Sequence, residues 1–259
     1  MITPSAIPLS LYVHLPWCTQ KCPYCDFNSH EGFTPDLQGP YVTALLQDFD
    51  SQLQGIEGRI VESIFIGGGT PSLFSGEWIQ RLLSELAKRI PFAPAAEITL
   101  ESNPGSAERG RYQSYVEAGV TRLSIGVQSF NDDALRRLGR IHSGDDARQA
   151  LHLASTTGFN NWNIDLMHGL PEQTAETAAA DLSEALALSA GHISWYQLTI
   201  ERNTRFWTSQ PLLPDERTLH SIQSTGEQLL HHADYHQYEV SAFCRPGYEG
   251  RHNLNYWGF

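Results

Sequence analysis

Three of the four cysteines in this 259-residue chain lie close together, at Cys18, Cys22 and Cys25. Their C-x3-C-x2-C motif, CTQKCPYC, directly follows a predicted strand. Three thiolates in one loop can hold three corners of an iron–sulfur cubane, because such clusters take cysteine thiolates as ligands. With no fourth cysteine nearby in the sequence, one iron would stay open to a small molecule, as in reactive metal sites.

A zinc site is the alternative interpretation of the same cysteines. His14, His30 or Cys244 could complete a zinc tetrahedron, although zinc loops more often carry C-x2-C pairs. Three free thiols without a metal are a further alternative. We favour the iron–sulfur cluster and predict that Cys244, far along the chain, takes no part in it.

Composition limits the class of protein. The chain is 41% hydrophobic and 18% charged, which is typical of a globular protein. Its net charge of −12 argues against nucleic acid as a partner. The sequence contains no apolar run of membrane-spanning length and no recognisable signal peptide. Clustered thiols without an export signal predict a cytoplasmic protein.

Short β-rich segments alternate with helix-like segments along the chain. The predicted strands are residues 9–15, 61–66, 97–102, 122–127, 161–167 and 192–200. The predicted helices are residues 40–54, 76–89, 106–118, 144–157 and 174–190, followed by a helix at 215–232 and a strand at 236–243. This alternation predicts right-handed βαβ units and a parallel sheet.

An open doubly wound sheet and an incomplete barrel both fit this alternation. Polar or glycine-rich segments follow every predicted strand, and function collects at the carboxyl ends of parallel strands in both architectures. Contributions from six strands suit a ring better than one crevice. We therefore predict an α/β fold, a partial TIM-like (β/α)6 barrel with parallel strands, over residues 1–240. Residues 241–259 would begin a C-terminal region.

The GGGTPS segment ends the second predicted strand and contains Gly67, Gly68, Gly69 and Thr70. Glycines allow a backbone to approach a ligand because no Cβ intervenes. A tight turn is the commoner explanation of such a segment taken alone. A dinucleotide G-x-G-x-x-G motif is excluded, since Ser72 stands where the last glycine would be.

Four polar residues stand at or near strand ends where apolar residues are expected. Glu101 could accept hydrogen bonds from an ammonium or a ribose, and Gln128 can both donate and accept. Asp165 lies in an apolar strand, where an unpaired carboxylate is costly. Arg140 offers a planar fork to a carboxylate. Each alone could be structural, but their repetition at one face of the predicted sheet indicates a ligand site.

The motif CTQKCPYC after a strand resembles the radical SAM superfamily. The longer run LYVHLPWCTQKCPYCDFNSH resembles its coproporphyrinogen-dehydrogenase-like branch, most closely the HemW-type members. The resemblance implies a [4Fe-4S] cluster on the three clustered cysteines, with S-adenosylmethionine (SAM) on the open iron. In that superfamily an electron from the cluster cleaves SAM to methionine and a 5′-deoxyadenosyl radical.

The same resemblance assigns further residues to SAM. We predict that Gly68→Val weakens SAM binding and leaves the cluster intact. The residues that the resemblance assigns to the SAM site are Tyr12, Tyr24, Gly67, Gly68, Gly69, Thr70, Glu101, Gln128, Arg140 and Asp165.

The resembling branch contains two activities. The dehydrogenases, which decarboxylate coproporphyrinogen, carry an extra cysteine where this chain has Phe27. The C-terminal H-N-x-x-Y-W motif, here His252, Asn253, Tyr256 and Trp257, resembles the haem-associated motif of HemW-type haem chaperones. The resemblance thus implies haem as cargo, His252 as a candidate axial ligand, and haem-receiving respiratory proteins at the inner membrane face as partners. Alternatively, these residues only dock a terminal segment.

Other classes fit less well. A tRNA-modifying radical SAM enzyme would share the cluster, but the acidic charge disfavours it. A zinc-stabilised binding module would leave the strand-end residues unexplained. Because the resembling family continues beyond Phe259, the chain is expected to be truncated at its C-terminus. Whether it acts as an enzyme stays open at this point, with coproporphyrinogen dehydrogenase as the alternative to a haem chaperone.

Overall fold

Six parallel strands form the centre of the protein in this computed structural model, which describes residues 7–56, 58–105 and 110–257. β1 to β6 are Leu9–Leu15, Val61–Gly68, Phe92–Ser102, Arg122–Gln128, Asn161–His168 and His192–Gln197. Two further strands, β7 (His236–Glu239) and β8 (Ala242–Cys244), form an antiparallel hairpin that pairs with β6.

Helices connect the strands. α1 to α9 are Gln38–Gln52, Gly76–Ala87, Tyr112–Glu117, Asp132–Arg137, Gly144–Thr157, Ala175–Ala187, Arg205–Ser209, Glu216–His232 and Arg251–Asn255. Single 3-10 turns occupy Pro35–Leu37, Leu53–Gly55 and Pro71–Leu73. Among the described residues, no helix has both the length and the apolar character needed to cross a membrane.

The sheet curls into a half-barrel. Its strand order is β1-β2-β3-β4-β5-β6-β8-β7, so β1 and β7 are its two edges. Consecutive parallel strands joined by helices are the (β/α)6 arrangement predicted from the sequence, and the fold class is confirmed. The carboxyl ends of β1 to β6 therefore meet on one rim, the upper end, and their amino ends on the opposite rim, the lower end.

Alternation along each strand divides apolar from polar residues, because successive side chains point to opposite faces of a sheet. Outward residues such as Ile64, Ile66 and Ile125 are fully buried in the core beneath the helices. Inward residues are largely polar and contact one another across strands, as Ser124 contacts Asp165. The half-barrel consequently has an apolar outer layer and a polar interior.

Several predicted elements need correction. The predicted strand 236–243 is a hairpin, since Gln237 Nε2 donates to Val240 O (2.9 Å) where the chain reverses. β6 ends at Gln197 instead of residue 200, and β3 begins five residues early, at Phe92. The predicted helix 106–118 is seen only as α3, and residues 106–109 lie outside the described part. The short helices α4, α7 and α9 were not predicted, because five or six residues show too little periodicity.

Candidate functional site

The loop that carries the three clustered cysteines is closed at its base by backbone hydrogen bonds. The Cys18 N–H donates to His30 O (2.8 Å), and the His30 N–H donates to Pro16 O (2.7 Å). Lys21 Nζ donates to Phe27 O (2.9 Å) inside the loop. These bonds satisfy backbone groups that an extended loop would leave to water, so the loop has a defined shape.

All three cysteines line one cavity of about 340 Å³ at the upper end of the half-barrel. Burial raises the pKa values of the Cys18 and Cys25 thiols, because the charged form is less well solvated there. Arg140 Nη1 lies 3.4 Å from Cys22 Sγ and donates to it. A guanidinium beside the loop is suited to thiolates that share a metal group.

The sulfurs of Cys18, Cys22 and Cys25 do not all lie within 4.8 Å of one another in the described structure. In a zinc tetrahedron with zinc–sulfur bonds of about 2.3 Å, the sulfurs would be about 3.8 Å apart. A cubane spreads its thiolates over several irons and needs a wider set. Cys244 lies at the end of β8, near His236 instead of the loop. In the described arrangement, a zinc ion held by these three sulfurs would require their side chains to move closer together.

The glycines at the end of β2, Gly67 and Gly68, and the following Gly69 lie so close to neighbouring protein atoms that a Cβ would collide with them. A Cβ on Gly68, whose φ is +120°, would lie 2.8 Å from the His14 ring, and one on Gly69 would lie 2.5 Å from Trp17 O. A Cβ on Gly67 would lie 3.0 Å from Glu101 Oε2. Protein atoms alone therefore exclude a Cβ at these positions, and a bound ligand is not needed to explain the glycines. Gly68→Val would also press on β1 next to the cluster loop, so it does not isolate SAM binding.

Arg140 connects the cluster loop to the ends of β3 and β4. Its Nη2 donates to Asn103 Oδ1 (2.6 Å) and to Gly126 O (2.9 Å), while Asn103 Nδ2 donates to Thr70 Oγ1 (2.9 Å). Arg140 Nε is buried and has no hydrogen-bond partner among the described residues. Since a buried N–H without a partner is costly, this atom is a candidate donor to a bound group.

Glu101 and Asp165 bring two carboxyl groups into the cavity wall. Burial and the nearby Asp165 raise the pKa of Glu101 to about 8, although its Oε2 accepts from the Gly68 N–H (3.1 Å). Burial also raises the pKa of Asp165, which accepts from Ser124 Oγ (3.0 Å) and Asn163 Nδ2 (2.6 Å). A cationic ligand group would relieve this repulsion, so the pair is suited to an ammonium.

Gln128 adopts a left-handed backbone at the end of β4, with φ of +68°. The pairing of β4 with β5 is irregular there, between Gly126 and Gln128. The side-chain Oε1 accepts from the Tyr196 hydroxyl (2.7 Å), and both residues line the cavity. A strained backbone held by neighbouring contacts is common at binding sites.

The structure gathers most, but not all, of the predicted SAM residues around the cavity. Tyr12 and Gly67 are not among its lining residues, and neither is His252, which was predicted to contact haem. Tyr12 instead stacks on Phe65 and contacts His14 Nδ1 through its hydroxyl (3.1 Å). The predicted residues that line the cavity are Cys18, Cys22, Tyr24, Cys25, Gly68, Gly69, Thr70, Glu101, Gln128, Arg140 and Asp165.

Sequence reasoning missed Asn103 and Tyr196. Asn103 is two residues beyond Glu101 in the ESNP segment, and Tyr196 is four residues beyond His192 in the predicted strand. Both residues lie at or near the end of a strand, like the predicted site residues, and this position was the signal that could have identified them. Their contacts with Arg140 and Gln128 depend on how far neighbouring strands are staggered.

A hydrogen-bond chain runs from the cavity to the lower end of the half-barrel. Asn163, which donates to Asp165, accepts through Oδ1 from His192 Nδ1 (2.5 Å). His192 Nε2 lies 2.7 Å from the Tyr238 hydroxyl, which accepts from Asn253 Nδ2 (3.2 Å). Burial lowers the pKa of His192 well below its usual value, so a neutral imidazole joins these groups. The chain ends in the H-N-x-x-Y-W segment.

His252 is buried at the open side of the half-barrel. Its ring packs on Phe65 (centroids 5.1 Å apart), and α9 lies against β1 and β2. Burial lowers the pKa of His252 to about 4, which keeps the imidazole neutral at pH 7. Its Nδ1 has no partner among the described residues, whereas Tyr256 and Trp257 are 63% and 61% exposed.

Comparisons with known proteins show the family of the chain. The family model of the radical SAM superfamily matches residues 12–185. The chain is 54% identical to the haem chaperone HemW of Haemophilus influenzae, over 99% of this chain and 68% of that protein. It is also 54% identical to HemW of Escherichia coli, over 97% of this chain and 67% of that protein. The chain thus spans about two thirds of these relatives.

Solved structures extend the likeness. The coproporphyrinogen III oxidase HemN of Escherichia coli, a radical SAM enzyme, matches with a TM-score of 0.83 and 30% identity, over 93% of this chain and 56% of that one. The archaeal Elp3 of Methanocaldococcus infernus shares the fold, with a TM-score of 0.58 and 18% identity, over 86% of this chain and 55% of that one. The chain belongs to the radical SAM superfamily and, within it, to the HemW family of haem chaperones.

Proposed function

We propose that the chain binds a [4Fe-4S] cluster through Cys18, Cys22 and Cys25 and binds SAM in the adjoining cavity. The observation that carries this proposal is that one cavity is lined by all three cysteines and by polar side chains from the ends of several strands. Within the described residues, the buried Arg140 Nε has no hydrogen-bond partner, which suits a second bound group beside the cluster.

Different residues around the cavity would contact different parts of SAM or orient one another. Glu101 and Asp165 would accept hydrogen bonds from the SAM ammonium. The guanidinium of Arg140 would line the side of the cavity next to Cys22. Tyr196 would keep Gln128 oriented. When bound, the cluster supplies the electron for reductive cleavage of SAM. The protein's own part is to orient SAM and to exclude water.

The cluster proposal is tested by anaerobic reconstitution followed by iron and sulfide analysis. We expect about four irons per chain, the content of one [4Fe-4S] cluster. Serine substitution of Cys18, Cys22 or Cys25 should abolish the cluster, while Cys244→Ser, the matched control, should keep it. One zinc per chain held by these three cysteines in place of iron would refute the proposal.

SAM binding is tested separately by calorimetry on the reconstituted protein. Arg140→Met keeps the length of the side chain but removes its donors, so SAM affinity should fall at least about tenfold, the loss of one charged hydrogen bond. Arg136→Met, at an exposed position of α4, is the matched control. Equal affinities in both variants would place SAM elsewhere.

We further propose that the chain carries haem and passes it to haem proteins, including respiratory ones. The names of the HemW relatives support this, as does a neutral imidazole at His252 in a segment with two exposed aromatic residues. Neutral histidine is a common axial ligand of haem iron. Because His252 is buried, ligation requires α9 to move away from Phe65.

Haem titration tests the ligand. His252→Ala should shift or weaken the Soret band of bound haem, while His232→Ala, at an exposed position of α8, should not. Equal spectra for wild type and His252→Ala would retain haem binding but exclude this ligand. Transfer is tested by mixing haem-loaded protein with an apo-cytochrome and following haem into the acceptor.

Coproporphyrinogen dehydrogenation is the second candidate activity, favoured by the similarity to the coproporphyrinogen III oxidase. Against it, Phe27 lines the cavity where the sequence resemblance places an extra cysteine in dehydrogenases. An anaerobic assay with SAM, reductant and coproporphyrinogen decides between them. It should use a chain extended to the length of the relatives, and formation of protoporphyrinogen would establish the dehydrogenase.

A further inference from the structure

Three side chains with metal-binding atoms meet at the lower end of the half-barrel, far from the cluster loop. His236 begins β7, Cys244 ends β8, and Glu249 lies in the turn before α9. His236 Nε2, Cys244 Sγ and one carboxylate oxygen of Glu249 all lie within 4.8 Å of one another. Across the described residues, no other three histidine, cysteine or acidic side chains bring their ligand atoms this close.

The distances match those of a tetrahedral site. Zinc bonds of about 2.0–2.1 Å to nitrogen or oxygen and about 2.3 Å to sulfur give tetrahedral edges of about 3.4 Å and 3.6 Å. Cys244 Sγ lies 3.6 Å from His236 Nε2, and Glu249 Oε1 lies 3.0 Å from the same nitrogen. Only small side-chain shifts are needed to place an ion among these atoms.

The backbone holds the three residues in this arrangement. His236 and Cys244 are directly paired across the hairpin, so their side chains lie on the same face. After Cys244, the Arg245 N–H donates to Gly191 O (3.0 Å), and the Tyr248 N–H donates to Arg245 O (3.1 Å). This tight turn brings the next residue, Glu249, back over the hairpin. The donors are therefore positioned by folding and not by a metal.

We propose that His236, Cys244 and Glu249 bind one zinc ion, with water in the fourth position. Nitrogen, sulfur and oxygen donors together are a set that zinc accepts. Cys244 is fully buried, while the side chains of His236 and Glu249 are 44% and 27% exposed, so water can reach the ion from one side. A hydrogen-bonded His236–Glu249 pair beside a free thiol is the alternative.

The ion would connect the hairpin to the H-N-x-x-Y-W segment. Glu249 precedes Gly250, which caps α9 and whose N–H donates to the Tyr238 hydroxyl (2.9 Å). Zinc would thereby restrain the start of the helix that carries His252. This site is independent of the proposed cluster and SAM site, because it shares no residue with the upper cavity.

Zinc binding is measured on the cluster-reconstituted protein after dialysis against zinc alone, with metal analysis and zinc-edge X-ray absorption. We expect one zinc per chain with a single sulfur ligand at about 2.3 Å. Cys244→Ala and Glu249→Gln should each weaken zinc binding at least about a hundredfold, because loss of a direct ligand should cost at least as much as the roughly 10–100-fold loss on mutating an outer-shell partner. His232→Gln, on the neighbouring helix, is the matched control.

Two variants are used so that a loss of zinc binding cannot be explained by misfolding of one of them. Cys244→Ala replaces a buried thiol, whereas Glu249→Gln alters a partly exposed group, and both should unfold like wild type when zinc is absent. Retention of the zinc by both variants, absence of bound zinc in wild type, or a zinc with three sulfur ligands would each overturn the proposal. The last result would place the zinc in the cluster loop.

Discussion

The two ends of the half-barrel are built from the same strands but differ in how their buried polar groups are hydrogen-bonded. At the upper end, Glu101 has a raised pKa, and within the described residues Arg140 Nε has no partner. At the lower end, Asn163, His192 and Tyr238 bond to one another in a continuous chain. The polar groups named at the upper end are therefore short of partners, whereas Asn163, His192 and Tyr238 satisfy one another. The lower end is not fully satisfied, because among the described residues Arg122 Nε and Asn161 Oδ1 also have no hydrogen-bond partner there.

This difference separates binding from structure. A polar group whose partners all come from the protein stabilises the fold and gains little from a ligand. A buried charged group with too few partners destabilises the ligand-free protein, and a ligand can relieve that cost. The upper end, which has the cavity and the repelling Glu101–Asp165 pair, is therefore the candidate binding site, and the hydrogen-bond chain at the lower end supports the H-N-x-x-Y-W segment.

The largest expected effect comes from breaking the hydrogen-bond chain between the two ends. Asn163→Leu keeps the volume but removes one hydrogen-bond partner each from His192 Nδ1, Asp165 Oδ1 and Ser194 Oγ. The free energy of unfolding should fall by about 3 kcal/mol, the cost of unsatisfied buried groups. Urea denaturation measures it, with the exposed Asn160→Leu as control. A loss equal to the control's would mean that the chain contributes nothing to stability.

A smaller loss of unfolding free energy is expected from a substitution just beyond the upper ends of β1 and β2, where Gly69 lies against Trp17. Gly69→Ala puts a Cβ against Trp17 O, so it should cost about 2 kcal/mol, as overpacked sites do. Reconstituted iron content should fall as well, because Trp17 adjoins Cys18. Gly55→Ala, where a Cβ meets nothing within 4 Å, is the control. Equal stability of the two variants would contradict the close approach of these strands.

The strain at the upper end should be visible in the pH dependence of stability without SAM. The pKa of Glu101 is about 8 in the folded protein against 4.5 for the ordinary group. The contribution of Glu101 to the free energy of unfolding is thus fully present below about pH 4.5 and is lost as pH rises through 8. Relative to Glu101→Gln, the wild type should lose up to about 1.4 kcal/mol per pH unit in that window. If the unfolding free energies of wild type and Glu101→Gln changed with pH in parallel, the pKa of Glu101 would not be raised by folding.

A pH effect over a narrower window than that of Glu101, and with the opposite sign, should come from His252 at the open side of the half-barrel. Its pKa is lowered from 6.5 to about 4 by burial, so its contribution is present above pH 6.5 and is lost as pH falls through 4. His252→Phe keeps an aromatic ring against Phe65 and removes the titration. In haem-free protein, wild type should lose up to about 1.4 kcal/mol per pH unit relative to this variant. Identical acid profiles would indicate that His252 is exposed.

Long elements were predictable from the sequence, and short ones were not. The strand Leu9–Leu15 and the helix Gly144–Thr157 match their predicted bounds, because each has a clear apolar period and flanking polar or glycine residues. The hairpin after Glu239 was predicted as one strand, since its reversal depends on a contact between Gln237 and Val240. Turns of this kind carry little local signal.

The chain's residues were enough to indicate a metal loop, a parallel sheet and a row of polar strand ends, because cysteine spacing and strand alternation are local properties. Folding was needed to show that Arg140 reaches both Cys22 and Asn103. It was also needed to show that His252 is buried and that Cys244 meets His236 and Glu249. These contacts depend on strand stagger, sheet curvature and chain reversals, which join residues distant in sequence and leave no periodic trace along it.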